Sequence, residues 1–255
     1  MMNLLSCSAE KKINRLLETD DSQAIKTYRY GILKDLPQPV QRYFRYALTD
    51  SQPFVKRVSI EHKGRFRNGP EKKWMDIRGE QTLTAGKPGF VWVGKTRMFT
   101  AHDSYISGNG NMAVFLLGTF RIVNEEGYKV NQGELLRWLG ESVWMPTNLL
   151  PDENIHWEAI DEDHARLVYT GWKENLSYVV EFASNGRIVS MECMRYKGQG
   201  SLHRWVGRLS NYQEQNGMMV PQKIQGSWIQ DDGSEFMYAD FDLTRMIHRF
   251  TDSQY

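Results

Sequence analysis

The chain has 255 residues, 40% hydrophobic and 25% charged, with a formal net charge of +1. That is long enough to bury a sizeable core, and the composition is that of an ordinary globular protein. The balanced charge excludes a global attraction to nucleic acid, and no stretch approaches the roughly 18–20 apolar residues of a membrane helix.

The N-terminus, residues 1–35, reads as a helical arm. Leu4-Leu5-Ser6-Cys7 looks superficially like a lipoprotein cleavage site, but Lys11 and Lys12 follow it and only six residues precede Cys7. A secretory leader needs about 7–15 apolar residues there, so no export signal is expected. Cys7 and Cys193 are the only cysteines, and they predict a reduced, cytoplasmic protein. Within the arm, residues 8–31 read as one or two short helices, with Ser8 as cap and Ile13, Leu16 and Leu17 at helical spacing.

Residues 36–255 read as a single domain. Leu36–Leu48 predicts an amphipathic helix, with prolines in its first turn and Val40, Tyr43, Phe44, Ala47 and Leu48 on one face. From Phe54 the period of the apolar residues switches to two. Strands are expected over 55–66, 74–84 and 90–99, with others through 103–106 and 112–123. Residues 133–143 turn helical again, with Leu135, Leu136, Leu139 and Val143 on one face and Glu134, Arg137 and Glu141 on the other, Trp138 beside them. Pro146 and Pro151 then hold a short loop. Strands resume over 155–160, 166–170, 176–182, 187–196, 203–213, 218–229 and 235–243. Asn185-Gly186, Asn216-Gly217 and Asp232-Gly233 fall between alternating runs, as type I′ hairpin turns would.

These elements predict a mainly β fold with some α. Ten or eleven antiparallel strands form one large sheet, and a sheet that wide tends to curl into a half-barrel. The central helix should cover the concave face.

Chemical motifs are scarce. Gly108-Asn109-Gly110-Asn111-Met112-Ala113 matches a relaxed dinucleotide-binding fingerprint, but no strand–helix–strand context surrounds it, so it reads as a turn. The six histidines are scattered without a metal-ligand spacing, and no metal or cofactor is expected. His102-Asp103 is the one adjacent His–carboxylate pair, and neighbours on a strand point to opposite faces. Cys193 sits in an apolar alternation and reads as a small core residue. The stripe Glu134, Arg137 and Glu141 has two readings. On an exposed helix it is a solvated face. Over the concavity, Arg137 would bind an anionic group and Glu141 would orient it or act as a base. Trp138, Trp144, Arg195, Trp205 and Trp228 are the other candidate ligand-binding residues.

Several segments carry a resemblance: Leu-Pro-x-Pro-Val-Gln-Arg-Tyr-Phe from Leu36, Gly-Glu-Leu-Leu-Arg-Trp-Leu-x-Glu from Gly133, and Trp-x-Pro-Thr-x-Leu-Leu-Pro from Trp144. Together they resemble a bacterial family of unknown function over roughly residues 36–245. The resemblance implies a half-barrel similar to that of lipoprotein-carrier proteins, with an apolar concave face covered by helices. It brings no catalytic residues. The expected function is the binding of an apolar or amphipathic, lipid-like small molecule. The alternatives are a cofactor-independent enzyme with Glu141 as acid or base and Arg137 as anion stabiliser, or an interaction module. Oligomeric state is not legible.

Overall fold

The computed structural model describes residues 7–18 and 27–251. The Leu4–Ser6 stretch, the side chains of Ser8 and Leu17, and residues 19–26 lie outside the described residues.

Helix α1 (Cys7–Glu18) is followed by a 3-10 turn (Tyr30–Leu33) and helix α2 (Gln38–Ala47). Then come six strands: β1 (Val55–Phe66), β2 (Met75–Thr84), β3 (Gly89–Lys95), β4 (Phe99–Ile106), β5 (Asn109–Leu116) and β6 (Phe120–Glu126). Helix α3 (Tyr128–Glu141) and two 3-10 turns (Ser142–Trp144, Pro146–Leu149) separate these from seven more: β7 (Ile155–Ala159), β8 (His164–Tyr169), β9 (Leu176–Phe182), β10 (Ile188–Tyr196), β11 (Leu202–Gln215), β12 (Met218–Ile229) and β13 (Glu235–Phe250).

All thirteen strands form one open antiparallel sheet in the order β6-β5-β4-β3-β2-β1-β13-β12-β11-β10-β9-β8-β7. Every neighbour pair is a hairpin except β1–β13. The chain starts in the middle, meanders to one edge, crosses to the other edge through α3, and meanders back. The expected sheet is therefore present with more strands than the sequence pattern suggested. The run read over 90–99 breaks at a turn in which Phe99 and Met98 backbone N–H groups donate to Thr96 Oγ1. The run read over 112–123 folds back at Leu117-Gly118, with φ of 49° and 72°. The last strand continues to Phe250, because from Ala239 onward it pairs with β1 back to Val55.

Of the three expected type I′ turns, only Asn216-Gly217 has positive φ at both central residues, 55° and 80°. At Asn185 and Asp232 the side-chain oxygen instead accepts the backbone N–H two residues on, from Arg187 and Ser234. Side-chain capture of the turn competes with the left-handed conformation at these residues.

The sheet is strongly curled. Strand β6 lies nine neighbours from β10, which in a flat sheet would be roughly 40 Å away. Yet Gln199, in the β10–β11 loop, donates to the backbone carbonyl of Glu126 at 2.7 Å. Lys129 Nζ, at the start of α3, donates to the carbonyls of Gln199 and Gly200. The two wings meet across the trough at this end.

Helix α3 spans the concavity. It starts earlier than its apolar periodicity suggests, because Gly127, with φ 104°, turns the chain off the β6 edge and its carbonyl accepts from Asn131 N at 2.8 Å. Leu135, Leu136, Leu139 and Val143 are buried in the main core. Tryptophan N–H groups pin the crossover: Trp138 donates to Thr84 O, Trp144 to Pro221 O and Trp157 to Leu149 O. Trp138 is fully buried, so Trp138→Phe removes a donor from a buried carbonyl. A loss of about 1–3 kcal/mol is expected, read as a lower urea midpoint with an unchanged slope.

Helix α2 packs Phe44 edge-on to Trp157 and Tyr43 against Phe182. Helix α1 lies on the outer face, where Leu16 joins Val91 and Ile106 in a small separate cluster. No described helix is long and apolar enough to cross a membrane.

Candidate functional site

Between α3 and the concave face lies a cavity of about 600 Å³. Its wall comes from both wings of the sheet, from Met112, Val114 and Ile122 on one side to Met191, Leu209 and Trp228 on the other. The volume is within the usual range for small-molecule sites, and such sites are mostly apolar with few polar anchors. Glycines leave room along this wall. A Cβ at Gly94 would lie 2.2 Å from the Trp92 ring and one at Gly207 would lie 2.7 Å from Trp205, so both indoles lie flat across their neighbours.

The polar stripe of α3 faces this cavity rather than bulk water. Arg137 and Glu141 side chains are only 15% and 13% exposed. The solvated-face reading of the stripe is therefore overturned: the helix is apolar toward the core and polar toward the trough, and both sides are covered. Each of the three Arg137 nitrogens is engaged. Its Nε donates to Glu141 Oε1 at 2.9 Å, one terminal nitrogen to Asp103 Oδ2 at 2.7 Å, and the other to Gln81 Oε1 at 3.1 Å. Gln81 in turn donates to the second oxygen of Glu141. The guanidinium lies 4.9 Å from the Phe90 ring and 5.0 Å from Trp92. Burial works against its charge, but Glu141 and Asp103 outweigh it and hold Arg137 above its ordinary value. Glu141 spends one oxygen on Arg137 and the other on Gln81, which itself accepts from Arg137.

Glu134 lies one turn away on the same helix. Burial, together with the charge of Asp103, pushes its carboxyl up to about 8 against the pull of Arg195 and Arg137. Its Oε2 is buried with no hydrogen-bond partner, and so is Asp103 Oδ1. Burial also raises Asp103, opposed by Arg137 and Arg195. A carboxyl that keeps its proton at neutral pH in an apolar site is a donor rather than an anion.

Arg195 differs from Arg137. It approaches Glu134 Oε1 only at 3.9 Å, lies over the Trp205 ring at 5.8 Å, and makes no hydrogen bond among the described residues. Its side chain is 13% exposed and lines the cavity. His62 completes the floor. Its Nε2 accepts from Trp92 Nε1 at 2.8 Å and its ring stacks on Phe241 at 4.5 Å. Burial and then Arg137 push it down to about 3, so it is neutral.

The structure brings six of the seven sequence candidates to the cavity: Arg137, Glu141, Trp144, Arg195, Trp205 and Trp228. Trp138 does not reach it, because its ring points from α3 into the core toward Thr84 and Tyr169. Asp103, Gln81 and His62 were not candidates. Asp103 does point to the opposite face from His102, which packs on Phe115, as strand geometry requires. What draws Asp103 to Arg137, 34 residues on, is the crossover of α3, and no local pattern signals that. Glu134 had a signal, its place in the charged stripe.

No curated protein matches this chain. Among solved structures, it is similar to a LolA superfamily protein from Nitrosomonas europaea, at 14% identity and TM-score 0.46, covering 83% of this chain and 92% of the other. A putative outer membrane lipoprotein-sorting protein domain from Vibrio parahaemolyticus matches at 11% identity and TM-score 0.42, covering 76% and 85%. A DUF1329 family protein from Desulfovibrio piger matches at 9% and 0.43, covering 78% and 88%. The match of a family model to residues 26–241 is of another order, since it takes in most of the chain, from α2 and the sheet to the crossover that builds the cavity: the protein belongs to the family of unknown function DUF6544.

Proposed function

We propose that the protein binds an apolar or amphipathic, lipid-like small molecule in the trough, with its chain along the aromatic and aliphatic wall and an acidic head at Arg195. One observation carries this reading. A largely apolar cavity of about 600 Å³ holds a buried guanidinium whose N–H groups make no hydrogen bond among the described residues. Burial and Asp103 push the Glu134 carboxyl up to about 8, which favours its neutral form and leaves Arg195 without a full counter-charge. A carboxylate or phosphate would supply one. Arg137, satisfied by Glu141, Asp103 and Gln81, acts as a positioning residue.

The test is displacement of a fluorescent fatty-acid probe, paired with native mass spectrometry of the purified protein. A long-chain carboxylate is expected to outcompete the alcohol of the same chain by roughly 10–100-fold, the value of a charge-assisted hydrogen bond. Arg195→Met should erase that preference while leaving alcohol binding intact. Failure of every apolar probe to bind, with no ligand extracted, sinks the reading.

Glu134 favours a second reading, an acid–base enzyme using the same cavity, since a cavity-lining carboxyl with a raised pKa is suited to proton transfer. It takes the place first given to Glu141. A turnover activity that rises or falls with one ionisation near pH 8, and vanishes in Glu134→Gln, would establish it.

A further inference from the structure

We propose that the end of the half-barrel formed by the β3–β4 and β5–β6 hairpin tips is a docking surface for an anionic lipid bilayer. This rests on the cavity reading above for its purpose but on separate observations for its support.

Four of the eleven exposed large apolar side chains among the described residues fall here: Met98 at 53%, Leu117 at 68%, Phe120 at 66% and Ile122 at 54%. The two tips are joined, because Leu117 N donates to Met98 O at 2.8 Å. Leu117-Gly118 is a tight turn with positive φ at both residues, closed by Thr119 N to Leu116 O. The same conformation is filled elsewhere in this chain by Asn216-Gly217 and Ser107-Gly108. A leucine in the left-handed region is strained, and one that is also mostly exposed gains nothing from the fold in return. Such a residue is explained by what it meets outside the protein.

The apolar tip is continuous with the cavity. Phe99, which lines it, pairs across strands with Leu116, and Leu116 pairs with Phe120 at the rim. The opposite, outer face of the same strand ends carries a row of cations, bordered by Asp242 opposite Lys63 and by Asp76 and Asp240 in the same groove. Lys63 stands opposite Arg78 and Arg78 opposite Lys95, three like charges side by side on adjacent strands. Arg97 and Arg121 extend the patch, and none of the five forms an ion pair among the described residues. Adjacent like charges destabilise a sheet unless an anion lies over them. An apolar tip beside a row of cations matches an anionic bilayer in chemistry. It would bring Phe99 and Ile122, which line the cavity, to the bilayer surface.

The test is flotation of the full chain with vesicles of phosphatidylcholine and phosphatidylglycerol in equal parts, and with phosphatidylcholine alone. Wild type is expected to float with the mixed vesicles and much less with the neutral ones, and the binding should weaken with salt. Leu117→Asn should bind at least about tenfold less while its thermal midpoint stays level or rises, because Asn suits the turn. Lys95→Glu with Arg97→Glu should abolish the preference for the mixed vesicles. Wild type that ignores both vesicles, or Leu117→Asn that binds as wild type does, overturns the proposal. Concentration-dependent self-association through the β6 edge that Leu117→Asn abolishes, without vesicle binding, overturns it too. Protein that carries a ligand but ignores vesicles leaves the cavity reading standing, and protein that floats but takes no apolar probe leaves this one.

Discussion

Arg137→Met is expected to destabilise the fold by about 3–5 kcal/mol, the usual result of removing one partner from a buried ion pair. Arg137 donates to Glu141, Asp103 and Gln81 in a site where both carboxylates are nearly covered. Without the guanidinium, Asp103 and Glu141 remain buried with no cation in contact, and either must be hydrated or protonated. The mutant should therefore recover stability relative to wild type as pH falls, because protonation removes the orphaned charges. Asp103→Leu and Glu141→Met introduced together with Arg137→Met should restore much of the loss, since an apolar replacement of a whole buried cluster is often close to neutral. Urea unfolding of the single and triple variants measures this. A single-mutant loss below about 1 kcal/mol would mean that water reaches the cluster and that the site is not a desolvated cavity.

Glu134→Gln should change the pH dependence of stability strongly. The folded carboxyl is raised from 4.5 to about 8. Between those values the unfolded chain has released this proton and the folded protein still holds it. The unfolded state then binds fewer protons, so stability falls as pH rises, by about 1.4 kcal/mol per unit, and levels off above about pH 8. Gln mimics the neutral acid and does not titrate. The variant should match wild type near pH 5 and exceed it by several kcal/mol near pH 8. Parallel pH profiles for the two proteins would show that Glu134 is ionised in the folded state. That result would also return a counter-charge to Arg195 and weaken the case for an acidic ligand head.

The two results bear on one another through Asp103. It is held by Arg137 and it raises Glu134. In Arg137→Met, Glu134 loses one of the cations pulling its pKa down, so its pH window should widen upward. A double-mutant cycle between Arg137→Met and Glu134→Gln at two pH values separates this coupling from the direct loss.

Local periodicity by itself determined a great deal of this protein. Period-two alternation specified the strand Leu176–Phe182 to the residue, because one buried face leaves no freedom of register. The amphipathic pattern with its early prolines placed α2, and the long run of hairpins required a sheet wide enough to curl. Where periodicity was silent, turns decided. The break at Thr96 and the Leu117-Gly118 turn divided two runs that read as continuous, because a side-chain acceptor and a left-handed leucine leave no conventional turn signature. Tertiary structure alone decided what the charged stripe of α3 means. On a lone helix, Glu134, Arg137 and Glu141 are a solvated face. Only the crossover from one sheet edge to the other lays them over the trough, adds Asp103 and Gln81 from distant strands, and removes the water. The reason is physical: the charge state and binding capacity of a side chain depend on the dielectric and the partners around it, and here those partners come from strands that no local window of the chain contains.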